Sequence, residues 1–317
     1  MSITWIVNVA ATAGVLLSAP LVYRFAQFCW LYFVRPSSIH RYLHGPSPYA
    51  LVTGASDGIG KAIAQELYSQ GFNLLLHGRS EQKLHKVVDE IISQCPQGRQ
   101  DVRFFLADVA VEEHKFAELL EPHKHLNITV VIHNVGGSIF RPERIDGFGE
   151  DELINVIYRN AVFPLLLTRA LLNQLRGSAK HGPIMVQFIG SRAADMSAPF
   201  FALYSAAKRS LQALAMGLDA DERVYDGPSH VRFVYLDVGV VQSNTMRVPN
   251  SLFSPSAKRF ARALVNKVGY EGRRYAPWMP HAAMQWVAEI GGERATTRIY
   301  GTDAILSHLS ARDKKLS

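Results

Sequence analysis

Apolar residues follow two regimes along this chain. The first is one continuous run, "ITWIVNVAATAGVLLSAPLVY", from Ile3 to Tyr23, in which Asn8 is the only strongly polar residue. About twenty such residues are what a helix needs to cross a bilayer core. "FAQFCWLYFV" carries the apolar and aromatic character on to Arg35. No basic stretch precedes the run, and the aromatics continue past any cleavage point. An uncleaved membrane anchor therefore explains it better than a signal peptide. Arg24, Arg35 and Arg41 all follow the run, which places the body of the protein on the cytosolic side.

The second regime starts at Tyr49 and alternates. "YALVT", "FNLLLH", "VRFFLAD", "ITVVIHN", "PIMVQFIG" and "VRFVYLDVG" are short runs too continuously apolar for a sheet with one wet face. They read as six strands of a parallel sheet buried on both sides. Between them the spacing turns helical. "KAIAQELYSQG" sets Ile63, Ala64 and Leu67 on one face and stops at Gly71, and "SEQKLHKVVDEIIS" opens on a capping Ser80 ahead of Leu84, Val87, Val88 and Ile91. Further helices are expected around Glu112 to Leu120, from Glu150 to Leu175, from Tyr204 onward and from Ser256 to Val268. Strand–helix alternation of this kind gives an α/β fold with a doubly wound parallel sheet behind an N-terminal anchor helix. The expected organisation is an anchor and linker over residues 1–47, one catalytic domain over 48–295 with a substrate-covering segment at 247–295, and a tail over 296–317.

Composition narrows the partners. With 48% hydrophobic and 19% charged residues, the chain can bury a core and is not a disordered one. Its two cysteines, Cys29 and Cys95, make no disulfide framework. The net charge of +7 favours anionic partners such as a phosphorylated cofactor, a CoA ester or a membrane surface. Nucleic acid fits poorly, because the cations are scattered rather than clustered with aromatics. The 12 histidines show no metal-binding spacing, so no metal is expected. The chain closes on "DKKLS", whose Lys314 and Lys315 resemble the dilysine address of endoplasmic reticulum membrane proteins. That address needs a cytosolic C-terminus, in agreement with the charge asymmetry around the apolar run.

Two short motifs carry the chemistry. "TGASDGIG", Thr53 to Gly60, joins the first strand to the first helix, where glycines allow a tight turn and a close approach to a pyrophosphate on the helix N-terminus. "YSAAK" puts Tyr204 and Lys208 one helical turn apart. Together they resemble the short-chain dehydrogenase/reductase superfamily, a Rossmann-like fold, and the likeness covers residues 48 to about 285. The resemblance implies that Gly54, Ser56, Asp57, Gly58, Ile59 and Gly60 cradle the cofactor, that Asp108 of "ADVA" contacts the adenine and that Asn134 of "HNVG" lies beside the dinucleotide. His133 stands where the family usually has a first asparagine. Asn160 fits the helix asparagine that holds a proton-relay water. Ser191, thirteen residues before Tyr204, fits the serine that binds the substrate oxygen. Val238-Gly239 replaces the family's Pro-Gly turn, with Val241 and Ser243 in the loop over the nicotinamide. Taken singly, each residue also has a structural account: a bonded helix asparagine, a strand-end serine, a cap at Asp108.

Carbonyl reduction needs a hydride at carbon and a proton at oxygen. A free phenol has a pKa of about 10, and a cation one turn away is expected to lower it towards neutrality. Tyr204 is thus the expected general acid, with Lys208 reaching the cofactor ribose as well. "LLLHGRS" offers no acid for a ribose 2′-hydroxyl, whereas Arg79 can meet a 2′-phosphate, which favours NADPH over NADH. Within the superfamily, "TGASDGIGKA", "GFNLLLHGRS", "HNVGG" and "VPNSLFSPSAKRFARALVNKVG" look most like the microsomal branch of 17β-hydroxysteroid dehydrogenases and very-long-chain 3-oxoacyl-CoA reductases. The resemblance implies a lipophilic ketone held near a membrane. The positive charge tilts the choice to a 3-oxoacyl-CoA, with steroid and secondary-metabolite ketones as alternatives and a homodimer left open. The rivals from other classes are a silent membrane-tethered dinucleotide-binding scaffold and a signal-anchored secreted enzyme.

Overall fold

The computed structural model describes residues 3–95, 98–112, 114–137, 143–195, 199–224, 230–244 and 246–300. Lys314 and Lys315 lie outside the described residues. The chain falls into two compact units, Met1–Ser37 and Ser38–Ser317.

The first unit is helix α1 (Ile3–Cys29), extended by a π-helical turn over Trp30–Val34. Together they form an apolar rod, Ile3–Val34, long enough to cross a membrane. Pro20 sits inside it, as bilayer helices tolerate.

The second unit begins eleven residues ahead of the first strand. The reason is packing. Ile39 and Tyr42 are buried, and Ser38 donates from its hydroxyl to the Val268 carbonyl at 2.9 Å. Seven parallel strands follow in the order β3-β2-β1-β4-β5-β6-β7. They are β1 (Tyr49–Val52), β2 (Asn73–Gly78), β3 (Val102–Leu106), β4 (Ile128–His133), β5 (Ile184–Ile189), β6 (Val231–Leu236) and β7 (Arg274–Tyr275). Every residue of β1, β4 and β5 is buried, as continuous apolar runs require when helices cover both faces. The helices are α2 (Gly58–Ser69), α3 (Glu81–Gln94), α4 (Phe116–Leu120), α5 (Glu150–Ile157), α6 (Phe163–Ser178), α7 (Ala202–Val224), α8 (Ala257–Val265) and α9 (Met279–Tyr300). Ser80 caps α3 by accepting from the Lys83 amide, and Leu84, Val87 and Ile91 point inward, as the periodicity predicts.

Four expectations change. The helix expected from Glu112 starts only at Phe116. The long helix from Glu150 is divided by a π-helical turn over Tyr158–Val162. A seventh strand, β7, joins the edge of β6 in the segment read as substrate-covering. Helix α9 runs through Gly291 to Tyr300, broken at Gly292, where φ is 71°. Two residues of strand and a helix broken by glycine are too short or too irregular for periodicity to reveal.

Candidate active site

The site lies at the C-terminal ends of the strands, on either side of β1 and β4, where the order of a doubly wound sheet reverses. The glycine turn after β1 is built to bring backbone close to a ligand. Gly54 and Gly58 take φ of 63° and 56°, values that side chains resist. A Cβ on Gly60 would lie 2.2 Å from the Gly54 carbonyl oxygen, so the turn closes only because that residue has no side chain. Asp57 caps α2 by accepting from the Gly58 amide at 2.7 Å, and Asn244 donates to the same oxygen at 2.7 Å. Ser56 and Ile59 are half-buried in the turn. The cradle offers a pyrophosphate glycine backbone and a helix N-terminus, with the Asp57 carboxylate, bonded to Gly58 and Asn244, as the side chain at its mouth.

Asn134 and His77 hold the turn from below. The Asn134 amide donates to the Thr53 and Gly54 carbonyls at 3.1 and 3.3 Å, while the backbone amides of Asn134 and Val135 donate to the Thr53 hydroxyl. Gly54 donates its amide to His77 Nδ1 at 3.3 Å, and His77 Nε2 donates to the Ala107 carbonyl at 3.1 Å. That ring is buried and stays neutral, because burial pulls its pKa down to about 4. No motif announces His77; its one signal in the sequence is a histidine closing an otherwise apolar strand. His133, at the family's asparagine position, is also buried. Its ring stacks on Phe188 at 4.7 Å, its Nε2 pairs with the Thr168 hydroxyl, and burial lowers it to about 3. Arg79 follows β2 and is exposed. Asp108 folds onto its own backbone, accepting from the Ala110 amide at 3.0 Å in a local turn, and it does not cap the following helix, which starts only at Phe116.

Tyr204 stands on the first turn of α7, and Lys208 follows one turn later with its ammonium 5.7 Å from the phenol ring centre. Lys208 is buried and donates to the Ile189 carbonyl at 2.9 Å, two residues before Ser191. Burial lowers its pKa to about 8. The phenol differs from expectation. Burial raises the Tyr204 pKa, and its side-chain hydrogen bond with Ser191 draws it only part of the way back. Burial sets the direction of the shift, so Tyr204 is a protonated phenol at neutral pH, the form a proton donor needs.

Asn160 is fully buried within the π-helical turn, a local geometry common at functional sites. Its side-chain oxygen accepts from the Gly137 amide at 3.0 Å, and its amide donates to the Gly137 and Val156 carbonyls at 2.8 Å each. Its amide protons are spent on the protein, so it acts as a clamp on the segment after β4.

Ser191 rests on a shelf that no motif announces. Its amide donates to the Tyr235 hydroxyl at 2.9 Å, and that hydroxyl donates back to the Ser191 carbonyl at 3.2 Å. The Tyr235 ring lies under Gly190, where an added Cβ would meet ring atoms at 2.1 to 2.5 Å. Gly190 and Tyr235 are a matched pair, one making room for the other. Arg274 of β7 then ties Asp237, at the end of β6, to Asp195 just beyond Ser191. Val241 is buried, and Ser243 accepts from the Met246 amide at 3.1 Å beside Gly58.

Next to Tyr204 opens a cavity of ≈ 440 Å³ lined by Ile145, Phe148, Leu153, Val156, Phe200 and Leu203, with Glu143, Arg144 and Asp146 along it. Its described lining comes from residues 143–156 and 200–204, and the segment 247–295 contributes none of it. That segment turns Phe260, Ala261, Leu264 and Val265 inward from α8, which packs against α2.

A glycine cradle at the switch point, with a serine, a phenol and an ammonium converging beside an apolar cavity, defines a dinucleotide-dependent oxidoreductase. Residues 48–251 match the short chain dehydrogenase family, and the chain belongs to it. Among curated relatives, it is 33% identical over 281 residues to the very-long-chain 3-oxoacyl-CoA reductase of Kluyveromyces lactis, covering 85% of this chain and 79% of the relative. It is 32% identical to the protein of the same name from Neurospora crassa, covering 88% and 83%. Among solved structures, a 3-oxoacyl (acyl-carrier-protein) reductase from Agrobacterium tumefaciens with NADP bound superposes with a TM-score of 0.63 at 18% identity, over 77% of this chain and 97% of that one. A bulky-bulky ketone specific alcohol dehydrogenase from Comamonas testosteroni gives 0.62 at 19% identity, over 81% and 96%. These two likenesses concern the fold alone.

Proposed function

We propose that this enzyme reduces the 3-oxo group of a long-chain acyl-CoA with NADPH, at the cytosolic face of the endoplasmic reticulum membrane. The observation that carries the reading is Tyr204, a protonated phenol in contact with Ser191, opening onto an apolar cavity of ≈ 440 Å³. A space of that size and lining suits the oxo end of a lipophilic ketone. The names of the relatives, the apolar rod Ile3–Val34 and the net charge of +7 support the acyl-CoA and membrane parts of the reading.

Bound NADPH supplies the hydride. The rest is done by the chain. Gly54 to Gly60 receive the pyrophosphate on backbone and helix N-terminus, and the exposed Arg79 offers a guanidinium to a 2′-phosphate. Ser191 donates a hydrogen bond to the substrate oxygen as negative charge develops there. Tyr204 gives that oxygen its proton. Lys208, held by the Ile189 carbonyl, supplies positive charge that favours the phenolate left behind. Asn160 keeps Gly137 fixed at the edge of the cleft.

The test is NADPH oxidation by membranes bearing the protein, offered 3-oxoacyl-CoAs of graded chain length beside a steroid ketone. The expected result is turnover that rises with acyl length. Turnover of the steroid alone would redirect the substrate assignment, and tight NADPH binding with no oxidation across the panel would leave a silent scaffold.

A further inference from the structure

We propose that the tip of the loop between β6 and α8 is a lipid-binding surface by which the catalytic unit itself rests on an anionic bilayer. Leu252 and Phe253 are 58% and 51% exposed, two large apolar side chains side by side at the end of a turn. The turn is held rigidly from beneath. Ser254 donates through its hydroxyl to the Pro249 carbonyl at 2.7 Å and through its amide to the Ser251 hydroxyl at 3.1 Å. Trp278 Nε1 donates to the Leu252 carbonyl at 2.7 Å, and His281 Nε2 donates to the Phe253 carbonyl at 3.0 Å. Every one of these bonds grips backbone or hydroxyl and leaves the two apolar side chains facing outward. An ordered turn that spends so many bonds to present leucine and phenylalanine to solvent is built for contact.

The surroundings select the partner. The Arg259 guanidinium stacks over the Trp278 ring at 5.2 Å, and both Lys258 and Arg259 are exposed at the start of α8. Between Asp237 and Glu271 the sequence holds five lysines and arginines and no acid. Apolar tips, an interfacial tryptophan and flanking cations are the combination that enters the headgroup region of anionic lipid. A second copy of this chain fits less well, because a self-complementary contact here would set cations against cations. The inference rests on the fold of this loop and not on the reaction assigned to the site.

The test uses the full chain carrying p-benzoylphenylalanine in place of Phe253, reconstituted in phosphatidylcholine vesicles with or without phosphatidylserine and irradiated. The expected product is a lipid adduct at position 253, stronger with phosphatidylserine and reduced about fivefold by each of Lys258→Gln and Arg259→Gln, the effect of one cation near such a surface. The same probe at Ile92, which is 46% exposed on α3, should give none. A chain that floats with the vesicles but gives no adduct at 253, equal adducts at both positions, or a chain–chain adduct overturns the proposal while leaving membrane attachment standing. A chain that fails to float removes both.

Discussion

The two halves of the sheet are fastened by different chemistry. Around β1, the cofactor turn is held from beneath by uncharged groups, the Thr53 hydroxyl, the Asn134 amide and a buried neutral His77, and its carboxylate, Asp57, sits exposed at the rim on Gly58 and Asn244. Around β6, the substrate side is held by ions. Arg274 pairs with Asp237 and Asp195, and the buried Asp219 receives Arg223, Arg232 and Arg273. A turn that must receive a phosphorylated ligand gains from presenting dipoles with no competing anion beneath it. A shelf that must hold one serine steady at the C-terminal end of β5 gains from directional ion pairs, provided every buried charge is met. The difference predicts which half yields to which perturbation.

The largest effect is expected where the halves meet. Tyr204→Phe removes the proposed proton donor while leaving the glycine turn untouched, and kcat should fall about 10²- to 10⁴-fold with NADPH affinity unchanged. In the native protein kcat should also decline as pH rises through about 8, because Lys208 loses its charge there. A Tyr204→Phe enzyme with undiminished kcat would remove the phenol from the mechanism.

Acid should separate the halves. His77 and His133 are held neutral, with pKa values lowered by burial to about 4 and about 3, against an ordinary value of 6.5. The unfolded chain therefore binds more protons below pH 6.5, and stability is lost as pH falls towards 4, at about 1.4 kcal/mol per pH unit for each ring. Asp219, although burial works against it, has its pKa lowered by the bond with Arg232 and its other arginine neighbours, so its contribution is lost only below about 3.8. Hydrogen exchange between pH 6.5 and 4 should show β2 and β4 opening before β6. Opening in the reverse order would contradict the contrast between neutral and ionic fastening.

The third test concerns the shelf under Ser191. Tyr235→Phe deletes the hydroxyl that accepts from the Ser191 amide and donates to its carbonyl. The serine should lose its register, lowering kcat about tenfold, the worth of one good hydrogen bond, with KM for NADPH unchanged. Gly190→Ala attacks the same contact from the other side, since its Cβ would strike the Tyr235 ring. That overpacking should cost about 1–3 kcal/mol of stability, measured by denaturant unfolding. If Tyr235→Phe leaves kcat intact, Ser191 is positioned by its strand alone.

The contrast also explains what could be read from the sequence. The glycine turn and the Tyr204–Lys208 pair are local, set by spacings of a few residues, and the structure has the turn between β1 and α2 and the pair one turn apart on α7. Six strands were legible because each is a continuous apolar run. The shelf was not, because Tyr235 is forty-four residues from Ser191 and looks like any aromatic in a buried strand. The direction of the Tyr204 shift was also hidden. Spacing announces the cation, but burial, which only the fold supplies, decides the sign. The packing of the segment 247–295 was hidden for a related reason: its proline and aromatic content suggests a cover, and only the fold shows that the periodicity of α8 serves its contact with α2.

The smallest expected effect sharpens the account of the cofactor half. If neutral groups hold the turn, charge recognition of a 2′-phosphate has to come from its rim, and Arg79 is the exposed cation that follows β2. Arg79→Ala should then raise the Kd for NADPH about five- to tenfold, the worth of one charge-assisted contact at a wet site, and leave the Kd for NADH within a factor of about two. Raising the salt concentration should shrink the NADPH preference of the native enzyme in the same direction, because an exposed pair is screened where the buried turn is not. Equal weakening of both cofactors would mean that Arg79 supports the turn itself rather than reading the phosphate at its edge.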